Sequence, residues 1–477
     1  MTSRASVTDK TFTEALEVNV ADGRIRDLSC YNFFMQKTAL VINPWVSDFK
    51  LYDEWMHPLG LYFLISLLVY NGYEVRYFNC LERSRPLKHR RYNTGEFPSR
   101  EIPKPPVYAL LKRKYKLYGQ SETALADFLN TGQAPQVIFM GSAMTYWMPG
   151  LIETVRSVHH VFPKIPLVVG GISAQLIPQT LKSNLPGAIV FQGSLFDSAS
   201  LKNSGVTALA QLSTKSWTPT LLDAFHVGAT PIHGPILTSL GCPCSCSYCA
   251  SHTLQPSYCI RDRELVVKEM TCLAARYGVE HFAIFDDALL HAPEKNIIPF
   301  LTAIISQKLA VSIHTPNGLH VRGVSIELLK LMKEAGFKTL RFGYETGSSR
   351  FARDTGAKAT RADLETTMGK ALQAGFKAAD MGVYVMAGLF DQTPAETLDE
   401  IYSIASFSVT VKPVFLSPVP GTDLFLRYAR RYPPIATDPL WHNDSFFITQ
   451  LPGWSAETAQ EIIDAAKECN ARLQAGS

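Results

Sequence analysis

"SIELLKLMKEAGFKTLRFGYE", residues 325–345, is the stretch that decides the second half of the chain. A Ser325 cap opens a helix that puts Leu328, Leu329 and Met332 on one face, Gly336 ends it, and an apolar strand follows. About forty residues on, "TRADLETTMGKALQAGFKAADMGVYV" (360–385) does the same from a Thr360 cap to Gly375, so the tetrapeptide AGFK stands at both 335 and 374. Working outward from this repeat, "GPILTSL" (234–240), "HFAIFDD" (281–287), "VSIHTPNG" (311–318), "TLRFGYE" (339–345), "MGVYVMAG" (381–388) and "KPVFLSP" (412–418) alternate with helical runs. Another helix opens at the capping box Thr393-Pro394-Ala395-Glu396. Six such units predict a partial (βα)6 barrel over residues 234–425, with a small helical region over 426–477. Polar residues at the strand ends, Asp286, Asp287, His314, Asn317 and Glu345, are expected at one mouth.

Upstream, "TALVINPW" (38–45), "EVRYFNC" (74–80), "QVIFMGSA" (136–143), "PLVVGG" (166–171) and "AIVFQG" (188–193) are apolar runs of the kind buried in parallel sheets. A helix from Pro58 to Asn71-Gly72 and another after Pro149 separate them, predicting an α/β, flavodoxin-like doubly wound domain over residues 36–195. Its ligand site is expected at the carboxyl ends of the strands, near Gly141-Ser142 and Gly170-Gly171. An insertion over residues 83–116 carries eleven Lys or Arg against two Glu, and reads either as a loop packed on its own domain or as a basic arm. Residues 196–233 show little periodicity and read as a linker, and residues 1–35 as an extension.

With 477 residues, 46% of them apolar, the chain is long enough for two cores, and a net charge of +4 demands neither nucleic acid nor an acidic membrane as partner. The longest apolar run, "LGLYFLISLLVY" (59–70), is too short to span a bilayer, and the N-terminus lacks the apolar core of a signal peptide. A cytoplasmic location is expected, where clustered cysteines point to metal or redox chemistry and not to disulfides.

The cluster is "LTSLGCPCSCSYCASHTL" (237–254), directly after the first barrel strand, with four of the chain's nine cysteines. Cys242, Cys246 and Cys249 are spaced CxxxCxxC, a loop that can wrap one corner of an iron–sulfur cube. Three thiolates on four irons leave one iron open for chemistry. Zinc, with Cys244 as a fourth ligand, is the competing reading, but thiols two residues apart reach one ion with difficulty, so Cys244 is expected to be a bystander.

This loop resembles the signature of the radical SAM enzymes, with Tyr248 as the aromatic before the last cysteine. The resemblance implies a [4Fe–4S] cluster on Cys242, Cys246 and Cys249, whose open iron is chelated by S-adenosylmethionine (SAM). One electron from the cluster then cleaves SAM to a 5′-deoxyadenosyl radical. It further implies that Asp286 and Asp287 in "FAIFDDALL" accept from the methionine amino group, that Glu345 in "RFGYETGS" meets the ribose hydroxyls, and that Gly388 in "GVYVMAGLFDQT" lies beside adenine. Tyr248, His314 and Asn317 complete the expected SAM-binding set.

The first half also resembles a subgroup of that family with a cobalamin-binding-type domain ahead of the barrel, and along the whole chain "GSAMTYWMPG", "LVVGGISA", "FDDALL", "HTPNGLH" and "SPVPGT" are similar to segments of one branch of it. This implies cobalamin contacts at Ser142, Thr145, Gly170 and Gly171. The DxHxxG motif that supplies a lower axial histidine is missing: in "DEWMHPLG", Asp53 and His57 stand too far apart, so cobalamin is expected without a histidine below the cobalt. The implied activity is methyl transfer to an unactivated carbon of a small-molecule or lipid-like substrate, with flavodoxin or ferredoxin as electron donor. A cobalamin-independent radical rearrangement or cyclisation is the alternative enzyme, and a metal-stabilised RNA-binding module the alternative of another class.

Overall fold

The apolar runs of the first half pair as a five-stranded parallel sheet: β1 (Thr38–Asn43), β2 (Glu74–Asn79), β3 (Val137–Met140), β4 (Leu167–Val169) and β5 (Ala188–Val190). The computed structural model describes residues 37–83 and 90–475, so the expected extension over residues 1–35 lies outside the described residues. Strand order β2-β1-β3-β4-β5 is the flavodoxin-like order, and its direction reverses between β1 and β3. Helix Leu59–Tyr70 is apolar all round because it is covered all round, with every residue from Leu61 to Leu68 buried.

The second half is an open barrel of six parallel strands in sequence order: β6 (Gly234–Ile236), β7 (His281–Ile284), β8 (Ser312–His314), β9 (Phe337–Glu345), β10 (Met381–Ala387) and β11 (Thr410–Phe415). The helices between them carry the expected caps: Ser325, Thr360 and Thr393 each accept from the backbone three residues on, the latter two as full capping boxes. The C-terminal helix Ala456–Ala475 covers the edge strand β11, where the Asn470 side chain accepts from Val411 N at 2.8 Å and donates to Val411 O at 2.9 Å. That occupies backbone groups an edge strand otherwise leaves open.

Two stretches differ from expectation in how firmly they pack. Residues 196–233 form short helices at Ser198–Lys202, Thr207–Ala210 and Leu222–His226, and Leu201, Leu209, Leu221 and Phe225 join the core that also holds helix Leu59–Tyr70. Helices this short show no period in the sequence. Buried Glu269 ties the segment to the barrel by accepting from Thr220 Oγ1, Leu221 N and Arg261 at 2.8–3.0 Å. The basic insertion is not a free arm in its described part. Lys116–Tyr118 pairs antiparallel with Val46–Asp48 on one side and with Ser99–Glu101 on the other, and Tyr108, Leu111 and Tyr115 are buried with Phe49 and Phe446. The Tyr108 hydroxyl donates to Leu440 O at 2.7 Å, so the insertion joins the first domain to the C-terminal region.

Candidate cluster and cofactor site

The cysteine loop is closed at its base. Ser239 and Leu240 pair antiparallel with Ile260 and Cys259, so the loop leaves and rejoins the barrel on a short ladder. The buried Asp286 carboxylate sits under that ladder, accepting from Thr238 N (2.9 Å), Thr238 Oγ1 (2.5 Å) and Ser239 Oγ (2.6 Å). Burial raises its pKa and those bonds pull it back down. Asp286 thus anchors the loop, with three hydrogen bonds on its carboxylate. Its neighbour Asp287 turns the other way and is exposed at the mouth, bonded to Ser251, whose hydroxyl accepts from Cys249 Sγ at 3.2 Å. Although its surface reaches solvent, the protein packed around its carboxylate desolvates it and raises the Asp287 pKa, and Ser251 opposes that shift.

Within the loop Cys246 is buried, and Cys242 and Cys249 are half-buried. Ser247 donates from N and Oγ to Asp354 O, and Leu424 N donates to Ser247 O, so both flanks of the loop are held by backbone. Tyr248 stands between two charges: its hydroxyl donates to Glu345 Oε1 at 3.1 Å and accepts from Lys358 Nζ at 2.6 Å. Lys358 Nζ is itself 3.4 Å from Glu345 Oε1. Burial works against the Lys358 ammonium, but Glu345 and Cys246 overrule it and raise its pKa. Glu345 sits at a register shift between β9 and β10 with φ of 68°, a left-handed conformation that costs a non-glycine residue energy and turns the side chain out of the strand's alternation. Lys358 was missed in the sequence, since "DTGAKAT" has no period or spacing that sets it apart. Only folding brings it to Tyr248.

The remaining barrel residues divide. Asn317 Nδ2 donates to Phe285 O at 2.8 Å and so links the loop after β8 to the end of β7, beside Asp286 and Asp287. His314 does not reach the mouth. It pairs in register with Ala283, lies fully buried inside the barrel, bonds Thr339 Oγ1 and His281 Nδ1 at 3.1 Å, and stacks on Trp55 at 4.4 Å. Burial, then neighbouring His281, pushes its pKa down to about 3, so the ring is neutral. Gly388 is held by its backbone: its N–H donates to Gln392 Oε1 (2.8 Å) and its carbonyl accepts from the Tyr428 hydroxyl (2.6 Å). With φ of 91° and a Cβ that would fall 2.8 Å from Ile448, it is a glycine because the C-terminal region packs there.

In the first domain a cavity of about 490 Å³ opens at the carboxyl ends of β1, β3 and β4, at the reversal of strand order. Its walls are mostly apolar, including Leu64, Met148 and Phe191, with Asn43, Asn79 and Ser142 as polar rim. It reaches Leu254 and Gln255, at the end of the short helix that follows Cys249, so the cavity and the cysteine loop share a wall. Ser142 Oγ donates to Gly170 O at 2.7 Å, and Gly171, with φ of 101°, passes so close to Ser142 O that a Cβ would lie 2.4 Å from it. These three residues shape the rim. Thr145 does not line the cavity: its hydroxyl is buried 2.7 Å from His442 Nδ1. His57 does line it, but its Nε2 is 2.8 Å from His233 Nδ1 and its Nδ1 is 3.2 Å from the Tyr62 hydroxyl.

The donor set fits an iron–sulfur cluster chemically, being three thiols on one anchored loop with a buried ammonium beside them. Residues 236–401 match the model of the radical SAM superfamily. The chain is 26% identical over 211 residues to an uncharacterised methyltransferase of Pyrococcus horikoshii, covering 43% of each chain. It is 30% identical over 174 residues to the anaerobic magnesium-protoporphyrin IX monomethyl ester cyclase of Rubrivivax gelatinosus, covering 35% of this chain and 29% of that one. Both matches thus span less than half the length of these curated relatives. Among solved structures, the radical SAM methyltransferase TsrM of Kitasatospora setae, with cobalamin and a [4Fe–4S] cluster bound, superposes with a TM-score of 0.60 over 91% of this chain and 89% of that one, at 14% identity. That likeness is one of fold and extends across both domains. Residues 236–401, the cysteine-bearing barrel, are thus similar to the radical SAM superfamily, and the fold of the barrel together with the domain ahead of it is that of the solved methyltransferase.

Proposed function

We propose that this protein is a cobalamin-dependent radical SAM methyltransferase acting on an unactivated carbon. The observation that carries this reading is the shared wall: the cavity at the strand ends of the first domain reaches Leu254 and Gln255, a few residues past Cys249. A cofactor held there would face the barrel mouth, where a substrate radical is formed. When bound, the cluster would supply the electron that cleaves SAM, and cobalamin the methyl group.

The chain's own residues bind and orient. Cys242, Cys246 and Cys249 would hold the cluster, with Lys358, Glu345 and Tyr248 bonded to one another beside it and Asp287 next to Ser251. Lys358 offers a cation to the carboxylate of SAM, while Glu345 and Asp287 offer acceptors to its hydroxyl and amino groups. Ser142, Gly170 and Gly171 let a flat cofactor lie against backbone, and the apolar walls exclude water from a reactive intermediate. A small-molecule or lipid-like substrate and a flavodoxin- or ferredoxin-type electron donor belong to the same reading. So does a reducing, cytoplasmic setting, which suits free thiols. Among the described residues no helix is long and apolar enough to cross a membrane.

The likeness to the Rubrivivax cyclase favours a second reading, radical ring closure. One experiment separates the two. Anaerobically reconstituted protein, loaded with cobalamin and reduced, is incubated with SAM labelled in its methyl group. Label recovered on cobalamin supports methyl transfer, and SAM cleavage with no label on cobalamin supports cyclisation.

A further inference from the structure

Beside the three thiols of the cluster motif stands a second set of donors. Cys244 Sγ lies 3.6 Å from His320 Nε2, with the Cys242 thiol close by. One donor atom from each of Cys242, Cys244 and His320 falls within 4.8 Å of the others, and all three residues are half-buried, within reach of solvent. Donors around one tetrahedral ion stand about 3.5 Å apart, given metal–ligand bonds near 2.0–2.3 Å. Thiolates that each hold a different iron of a cube are spread wider, because whole metal–sulfide edges separate them. Cys242, Cys244 and His320 thus have the spacing of a site for one ion.

The backbone holds this arrangement. His320 follows Leu319, whose N–H donates to Arg341 O at 2.7 Å and whose carbonyl accepts from Gly343 N at 2.9 Å, so the imidazole arrives on a segment bonded to β9. In an extended chain Cys242 and Cys244 would point the same way about 6.8 Å apart, too far to share an ion. The loop after Gly241, which has φ of 79°, coils and brings their sulfurs within 4.8 Å of each other.

We propose that Cys242, Cys244 and His320 form a three-donor site for one soft divalent ion, zinc or ferrous iron, in the chain before its cluster is built, with water as the fourth ligand. Binding releases the two thiol protons to solvent, uses the neutral imidazole's lone pair and transfers no electron. Cys242 belongs to both donor sets, so the single ion and the cluster exclude each other. Zinc on this site therefore blocks cluster assembly until it is removed. Only this exclusion rests on the cluster reading above.

The test uses the full chain, stripped of metal and kept anaerobic, titrated with cobalt(II) as the spectroscopic probe. One equivalent should give the thiolate charge-transfer and intense visible bands of a tetrahedral site. Cys244→Ser and His320→Ala should each weaken cobalt binding by more than about tenfold, since losing even an outer partner of a metal ligand costs that much. Cys246→Ser should leave the titration unchanged. Bands that persist in the Cys244→Ser/His320→Ala double variant, or that vanish in Cys246→Ser, overturn the site. In a second arm, one equivalent of zinc should block reconstitution of the iron–sulfur chromophore in the wild type but not in Cys244→Ser, and unhindered reconstitution of the zinc-loaded wild type overturns the exclusion. A wild type that builds no cluster even when zinc-free fails the radical SAM reading instead, and the cobalt titration still decides the ion site.

Discussion

His57 Nε2 of the first domain lies 2.8 Å from His233 Nδ1 at the threshold of the barrel, and both rings are committed on their far sides as well. His57 Nδ1 meets the Tyr62 hydroxyl at 3.2 Å, and His233 Nε2 meets the Asp53 carboxylate at 3.0 Å. Asp53 is also paired with buried Arg83 at 2.9 Å, which fixes the far side of the His233 ring. Burial, then the neighbouring His233, lowers the His57 pKa well below the ordinary value.

Neither His57 nitrogen is free for a metal, so cobalamin added to this protein and reduced to cobalt(II) should show no splitting from a histidine nitrogen in its electron paramagnetic resonance spectrum. His57→Ala should leave that spectrum unchanged while costing about 1 to 3 kcal/mol of stability, because His233 and Tyr62 each lose a buried partner. A histidine splitting that disappears in His57→Ala would reverse the assignment.

Glu345 and Lys358 flank the Tyr248 hydroxyl, and both are expected to hold SAM. Glu345→Ala and Lys358→Met should each weaken SAM binding by about 1 to 3 kcal/mol, the usual worth of a charge-assisted hydrogen bond, while iron content stays at the wild-type level. Equilibrium binding of SAM to the reconstituted protein decides this. Unchanged affinity in Glu345→Ala would make its bonds to Tyr248 and Lys358 structural.

Cys242→Ala, Cys246→Ala and Cys249→Ala should each abolish the iron–sulfur chromophore and SAM cleavage, whereas Cys244→Ala should retain both. Iron and sulfide analysis after anaerobic reconstitution reads the first, and product analysis with a chemical reductant the second. Loss of the cluster in Cys244→Ala would make it a cluster ligand.

Two buried groups that tie the C-terminal region to the first domain should give opposing pH dependences. His442, bonded to Thr145 Oγ1 and Ile435 O, is lowered by burial from 6.5 to about 4. Between those values the unfolded chain binds a proton the folded chain does not. Up to about 3 kcal/mol is therefore lost as pH falls through that window. Asp48, bonded to Trp147 and Asn443, is raised by burial, and by Asp444, from 3.8 to about 6. Here the folded chain holds the proton longer, so stability falls as pH rises from about 4 to 6, again by up to about 3 kcal/mol. In denaturant titrations across pH 4 to 7, His442→Gln should leave a profile that declines with pH, and Asp48→Asn one that rises. Identical slopes in both variants would show that neither group titrates as its surroundings imply.

By itself the sequence determined what depends on short stretches of chain: the alternating strands and helices of two α/β layers, the helix caps at Ser325, Thr360 and Thr393, and a loop with CxxxCxxC spacing after the first barrel strand. Apolar runs, caps and close spacings are local, so they can be read before the chain is folded. Only the tertiary structure decided which way each polar group at a strand end faces. Asp286 and Asp287 are adjacent in sequence just past the end of β7, yet one is buried and anchors the cysteine loop while the other is exposed in the turn that follows. His314 and Thr145 are claimed by Trp55 and His442, which lie far away in the chain. Lys358 and His320 reach the cysteine loop only when the barrel brings different strand ends together, and the short helices of residues 196–233 acquire their buried face only from the helix and barrel they pack against. A buried polar group takes whichever partner satisfies it, and that partner is set by three-dimensional proximity, which no local pattern in the chain records.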